Sequence, residues 1–400
     1  MCGCEVQRKM IEREIASHLV YLAEKYPVVT VTGPRQSGKT TLVRQLFKDK
    51  VYINLEHPEE REFAKSDPIG FFKRIPDGAI LDEIQRVPEL LSYIQVMVDE
   101  RKQNGMFILT GSQQFELMNS ISQSLAGRTA LLKLLPLALS ELKDHYVFSG
   151  MNEVLYRGFY PRIFDQGLNP TQGYSDYFET YVERDLRQLL EVKNLSSFRK
   201  FVKLCAGRIG QILNLDSIGN DIGVSHATVR HWLTILEAGY IVFLLEPFYK
   251  NIGKRLIKSP KIYFYDTGLA AYLLGIETET HLENFPLRGN LFENMVLMEF
   301  LKYQFNKGKK NNLNFYRDTN GNEVDIIYNV GPKMLAVEVK SGETVSQDYF
   351  KGINALDKAV GEDIFAKAII YGGDRQEYRN EVYIDNYFNI KSLLDRLRQE

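Results

Sequence analysis

The sequence predicts an α/β protein: a doubly wound parallel sheet first, then a helical segment, a winged helix-turn-helix and a smaller α/β domain. Three observations predict it. Short apolar, β-branched runs alternate with amphipathic stretches over the first third of the chain, as strands and helices alternate in a parallel sheet. Ile218 and Ile222, then Val229, Leu233 and Leu236, recur at helical spacing on either side of Gly223-Val224-Ser225, which marks two helices joined by a tight turn. Two alternating runs flank Gly331-Pro332, the pattern of a β-hairpin whose two-residue turn has glycine first.

At 400 residues the chain exceeds one ordinary core. The expected parts are 1–135 for the sheet domain, 136–195 for the helical segment, 196–260 for the winged helix and 261–400 for the last domain. Lys and Arg number 50 against 51 Asp and Glu, so no global field draws the chain to nucleic acid or membrane, and such a partner must meet a local patch. Cys2, Cys4 and Cys205 form neither a disulfide framework nor a paired metal knuckle, which fits a reducing compartment. The N-terminal stretch lacks the apolar centre of a signal peptide. Apolar runs such as "YIVFLL" are far too short to span a membrane. A soluble cytoplasmic protein with no membrane partner is therefore expected. The six histidines are scattered without metal-ligand spacing.

The first element to carry chemistry is "TVTGPRQSGKTTLV", where the apolar strand Val28–Val31 runs into a helix beginning near Thr40. Gly33, Pro34, Arg35, Gln36, Ser37, Gly38, Lys39, Thr40 and Thr41 make the P-loop pattern. Its backbone N–H groups and helix N-terminus converge on one small volume, Lys39 adds a full positive charge, and the Thr40 hydroxyl can ligate magnesium. The occupant this implies is ATP with Mg2+.

A second strand must then present an acid to the metal. "GAILDEIQRVPEL" ends a buried run with Asp82, placed to hold the metal's water shell, and Glu83, placed to activate a water. "MFILTGSQQF" brings Thr110 and Ser112 to the carboxyl end of a third strand, where ligands of parallel sheets lie. Ser112 either senses the γ-phosphate or holds the attacking water, the alternative being a plain Gly-Ser turn. A fourth strand, "TALLKLLPL", follows Arg128. That places Arg128 near the same edge as a candidate arginine finger, in cis or toward a neighbouring subunit of a homo-oligomer.

"TGPRQSGKTTL", "AILDEIQRVPEL", "FILTGS" and "SLAGR" resemble AAA+ type ATPases. More specifically, they resemble a family of prokaryotic ATP-binding proteins in which such a module precedes a C-terminal domain of unknown function. "YVERDL", "KSPKIYFYDTGLAAYLLG", "GNLFENMV" and "EVDII...AVEVKSG" extend the resemblance over nearly the whole chain. It implies that the helices of 136–195 form a lid. Within them Arg184 of Glu183-Arg184-Asp185 either completes a nucleotide or subunit contact or lies on a solvated charged face.

In the helix-turn-helix Ser225 caps the second helix, Gly239 ends it, and "YIVFLLEPF" with "KIYFYD" supplies the wing strands. Ser225, His226, Thr228, Arg230 and His231 would face a groove of double-stranded DNA. From Cys205 to Lys250, however, Arg208, Arg230 and Lys250 stand against Asp216, Asp221, Glu237 and Glu246, so this core alone should bind weakly. Lys250, Lys254, Arg255, Lys258 and Lys261 of the wing restore positive charge. The alternative is a winged helix that packs on the ATPase and relays nucleotide state.

In the last domain the hairpin register sets Asp325 opposite Glu338 and Glu323 opposite Lys340, all four on one face. Facing carboxylates repel unless a cation sits between them, and a divalent metal would serve, with Lys340 beside it to stabilise a developing oxyanion. The set resembles the PD-(D/E)xK nuclease core: Asp325, then Glu338-Val339-Lys340, with Glu293 on the preceding helix and Val324 where the family name has proline. The resemblance implies a restriction-endonuclease-like fold, a second divalent metal at Glu293, Asp325 and Glu338, and catalysis by Glu338 and Lys340. The alternatives are a Glu323–Lys340 cross-strand ion pair and a helix-capping box from Asn290 to Glu293. Two functions follow from these parts. Either ATP hydrolysis controls DNA cleavage, or ATP drives a switch whose last domain only binds DNA or a protein partner.

Overall fold

The computed structural model describes residues 11–112, 121, 123–182, 195–248 and 259–397. Two compact units result, Met1–Leu137 with Gln304–Lys309 and Ala138–Tyr303 with Lys310–Glu400.

In the first unit β1 (Val28–Thr32), β2 (Val51–Asn54), β3 (Ala79–Asp82), β4 (Phe107–Gly111) and β5 (Thr129–Lys133) form one sheet in the order β2-β3-β4-β1-β5. Every pairing is parallel. Side-chain alternation divides the core: Val29, Val31, Ile80 and Ile108 pack on one face with Leu42 and Val43, whereas Val28, Leu81, Phe107 and Leu109 pack on the other with Ile94 and Phe71. Burial on both faces explains why these strands read as nearly unbroken apolar runs. The strand β2 was not anticipated; it is four residues long and partly exposed.

Parallel registry brings the carboxyl ends of the strands level, with Thr32 beside Gly111 and Asn54 beside Asp82. The same registry corrects the expectation for Arg128. It precedes β5, which runs parallel to β1 from the pair Val28 and Thr129, so Arg128 lies at the amino end of the sheet, the edge opposite the P-loop. Its guanidinium makes a two-pronged contact with Asp99, at 2.6 and 2.7 Å. A cis arginine finger is excluded by that placement.

The second unit opens with the helices Leu139–Leu142, Met151–Arg157, Pro161–Asp165 and Pro170–Tyr177. They were expected as a lid on the ATPase but are built into the second unit, where Met151–Arg157 and Pro170–Tyr177 pack on Thr267–Leu273. Buried Asp266 fixes this junction by accepting from the N–H groups of Leu269 (2.9 Å) and Phe159 (2.7 Å). Glu183-Arg184-Asp185 lies outside the described residues.

Three helices follow, Leu195–Ala206, Leu215–Ile222 and His226–Ala238. Gly223 ends the second at φ +80°, a left-handed conformation natural to glycine, and the Ser225 hydroxyl caps the third by accepting from Thr228 N–H. Trp232 fills the core against Phe198 and Phe201, with ring centroids 5.5 and 5.4 Å away. The strands β6 (Val242–Leu245) and β7 (Lys261–Phe264) then pair antiparallel. On the third helix burial, and secondarily Glu246, push the Glu237 carboxyl up to about 7. An acid raised on folding exacts no penalty below its unfolded value near 4.5, and the full penalty above 7. Glu237→Gln is therefore expected to raise the thermal midpoint at pH 8 and leave it unchanged near pH 4, as read by circular dichroism at the two pH values.

The remaining sheet has the order β12-β13-β11-β10-β9-β8. Its strands are β8 (Leu313–Arg317), β9 (Glu323–Val330), β10 (Lys333–Lys340), β11 (Ile364–Tyr371), β12 (Glu377–Arg379) and β13 (Val382–Asn386). The turn between β9 and β10 is the two residues Gly331-Pro332, with Gly331 at φ +62°. Registered pairs run from Lys333 opposite Val330 to Val337 opposite Ile326, and the next step sets Glu338 beside Asp325. Helix Arg288–Asn306 already contains Asn290, so no capping box starts there.

Candidate nucleotide site and a buried acid cluster

The loop from Gly33 to Gly38 connects β1 to helix Lys39–Leu46 and reverses direction through three positive-φ residues: Gly33 (+146°), Gln36 (+60°) and Gly38 (+91°). A Cβ at Gly33 would stand 2.1 Å from the Leu134 carbonyl oxygen, so only glycine fits there. Arg13 braces the loop from outside, donating to Ser37 O (2.8 Å) and Leu135 O (2.7 Å). Inside, the Lys39 ammonium donates to Gly33 O (3.0 Å) and Pro34 O (2.7 Å). Burial pulls its pKa down to about 8 against the opposing pull of Glu83 and Asp82. Arg35 faces Glu56 at 3.6 Å. Thr41 is exposed on the helix, one residue beyond Thr40.

Asp82 gathers hydroxyls from three other elements. Thr40 Oγ1 donates to it at 2.9 Å, Tyr52 OH at 2.7 Å, and Thr110 Oγ1 also donates. Glu83 sits beside it at φ +56°, a conformation rare outside glycine; its carboxylate accepts from Ser112 Oγ (3.1 Å) and from Gln85 Nε2. Lys39, Thr40, Asp82, Glu83 and Ser112 thus share one crevice. Tyr52, Gln85 and Arg13 were missed by sequence reasoning. For Tyr52 the signal was the β-branched run "VYIN"; nothing local marks the other two. The donor set fits a polyphosphate with a hard cation: a glycine-lined loop, a buried ammonium, and a Ser37 hydroxyl that is buried without a hydrogen-bond partner.

In the second unit the predicted acids also meet, on terms set by two lysines. Lys340 Nζ lies 2.5 Å from Glu338 Oε1 and 3.6 Å from Asp325 Oδ2. Asp325 accepts from Val339 N–H at 2.8 Å. Lys261, at 2 % exposure, pairs with Glu293 at 3.0 Å and with Glu323. Arg317 holds the far oxygen of Glu323 at 3.1 Å, and Tyr263 OH donates to Glu293. Burial raises the Glu293 carboxyl to about 7, with Lys261 opposing, and raises Glu338 to about 8, with Asp325 adding and Lys340 opposing.

This arrangement revises two expectations. The cation between Asp325 and Glu338 is Lys340, and Glu293 is held by Lys261; among the described residues no three His, Cys, Asp or Glu side chains group as a metal site. Lys261, counted toward a basic wing, is buried in this cluster and does not face a nucleic acid. Lys250, Lys254, Arg255 and Lys258 lie outside the described residues.

Residues 25–143 match the family model described as an AAA domain, 149–280 a domain of unknown function, DUF8612, and 288–393 a domain of unknown function, DUF4143. The uncharacterized protein Rv2008c of Mycobacterium tuberculosis is 31% identical over 338 residues, covering 84% of this chain and 75% of that protein. The chain belongs to this family of AAA+ type ATPases with a C-terminal DUF4143 domain. An uncharacterized protein of Haemophilus influenzae is 23% identical, covering 84% of this chain and 88% of its own length.

Among solved structures, the Walker-type ATPase PABY2304 of Pyrococcus abyssi is similar at 17% identity and TM-score 0.44, over 67% of this chain and 97% of that one. The RuvB Holliday junction branch migration motor of Thermotoga maritima is similar at 19% identity and TM-score 0.32, over 59% and 90%. Both are too distant to bear on function. The AAA match contains the P-loop, Asp82, Glu83, Ser112 and Arg128; the DUF4143 match contains Glu293, Asp325, Glu338 and Lys340. DUF8612 covers the expected lid only from residue 149 onward, together with the whole of the expected helix-turn-helix. No helix among the described residues is long and apolar enough to cross a membrane.

Proposed function

We propose that the AAA domain binds ATP with magnesium and hydrolyses it, and that the nucleotide state switches what the second unit binds. The observation that carries the first part is the convergence of Lys39, Thr40, Asp82, Glu83 and Ser112 on one crevice at the strands' carboxyl ends. In this reading the loop amides and Lys39 hold the phosphates, Thr40 and Asp82 hold the magnesium, and Glu83, steadied by Ser112 and Gln85, takes the proton of the attacking water. Magnesium supplies neutralisation of charge on the phosphate oxygens. Tyr52 keeps Asp82 aimed at the crevice. Phosphate release from ATP by the purified chain is expected with magnesium and lost on chelation with EDTA; equal release in both would remove the metal from the account.

For the second unit the lysine-held acids favour the switch. The three helices and the β6–β7 pair read as a winged helix-turn-helix, with Ser225, His226, Arg230 and His231 exposed toward double-stranded DNA or a protein partner. Arg208 is spent on Asp221 at 2.6 Å, so the charge supply stays thin. One observation favours a second reading, metal-dependent DNA cleavage: Glu338 Oε2 is buried without a hydrogen-bond partner beside Asp325. Incubation of linear and circular DNA with manganese and ATP separates the two. The switch predicts no cleavage by the wild type, whereas cleavage that Lys340→Ala abolishes would establish the nuclease.

A further inference from the structure

The parallel strands β10, β11 and β13 end at Lys340, Tyr371 and Asn386. The chain leaving each of them lines one open cleft of about 910 Å³: Glu343 to Val345, Gly372 to Arg375, and Tyr387 with Phe388. Ligands of sheets with parallel strands lie outside those carboxyl ends, and the volume is that of a ligand site. Its floor is tightly built. A Cβ at Gly372 would stand 2.6 Å from Ser341 O, and one at Gly373 2.5 Å from Glu343 O, so two exit loops touch backbone to backbone. Arg288 ties in the opposite wall, donating to Asn152 Oδ1 at 2.8 Å and Ser341 O at 3.5 Å.

The lining selects the ligand's charge. Six carboxylates stand against three arginines. Glu153 is already paired with Arg157 at 2.6 Å, which leaves Glu279, Glu283, Glu343, Asp374 and Glu377 against the three lining arginines, a net negative cleft. A phosphate or nucleic acid would be repelled and a cation attracted. The wall beside them is aromatic: Phe388 lies 6.2 Å from Phe148 and 4.5 Å from Tyr387, ring centre to ring centre. A guanidinium combines flat stacking on such rings with two-pronged donation to carboxylates, which an ammonium does not.

We propose that this cleft binds an arginine-bearing peptide segment of a partner protein. The test is fluorescence anisotropy of the full chain with a labelled peptide of alternating glycine and arginine. Expected are saturable binding by the wild type, at least tenfold weakening in Glu343→Gln/Asp374→Asn/Glu377→Gln, and severalfold weaker binding of the lysine version of the peptide. All three side chains are exposed, so the triple variant folds. A control that neutralises exposed Glu59, Glu62 and Glu100 keeps affinity within twofold. Absence of saturable binding, equal loss in the two triple variants, or equal binding of the lysine peptide would overturn the proposal.

Discussion

Lys39→Ala is expected to weaken ATP binding on the order of a hundredfold, about 3 kcal/mol, because the buried ammonium is the strongest charge the loop offers a phosphate. Lys39 is held by two carbonyl oxygens, of Gly33 and Pro34, and burial already pulls its pKa down to about 8. Removing it relieves a desolvation cost while leaving two loop carbonyls to water. The variant should therefore stay folded, with a thermal midpoint within a few degrees of the wild type. Titration of a fluorescent ATP analogue, beside a melting curve, separates loss of binding from loss of fold. A variant that binds as tightly as the wild type would place the nucleotide elsewhere.

The second large effect is on stability. Lys261→Met is expected to destabilise the second unit by about 3–5 kcal/mol, the range for a buried pair stripped of one partner. Lys261 is 2 % exposed and serves both Glu293 and Glu323, so its loss leaves buried carboxylate without compensation. The sign with pH follows: burial already raises Glu293 to about 7, and without its cation the acid is tolerated only when protonated, so the loss grows as pH rises. Lys261→Met/Glu293→Gln should recover part of it, since a neutral amide needs no counter-charge. Urea denaturation of the wild type and both variants at pH 6 and pH 8 measures these differences. A Lys261→Met variant as stable as the wild type would make the cluster a solvated surface.

Much of this was legible in the sequence because the signals are local. The P-loop and the Asp82-Glu83 pair are short motifs whose geometry follows from a strand meeting a helix. The hairpin register was legible for the same reason: a two-residue turn and a side-chain period of two leave one pairing that buries Ile326 and Val337. Tyr52 and Arg13 reach the nucleotide site from segments whose position depends on strand order, which no local pattern encodes. Arg128 was misplaced because closeness to a strand was read without its direction; in a parallel sheet a residue before a strand sits at the far edge from the ligand. Lys261 looked like wing charge because "KSPK" is basic, and only the packing of β7 against helix Arg288–Asn306 and β9 turns it toward acids.

The most direct test of the account is ATP turnover by the Glu83→Gln variant beside the wild type, with retained nucleotide measured on the same samples. Glu83 shares the crevice with Lys39 and Asp82 and is steadied by Ser112. The variant should bind ATP as tightly as the wild type and release phosphate on the order of a hundredfold more slowly, the loss expected for a general base. Equal turnover by the two proteins, or no ATP bound by the wild type, would contradict a hydrolytic site at this P-loop.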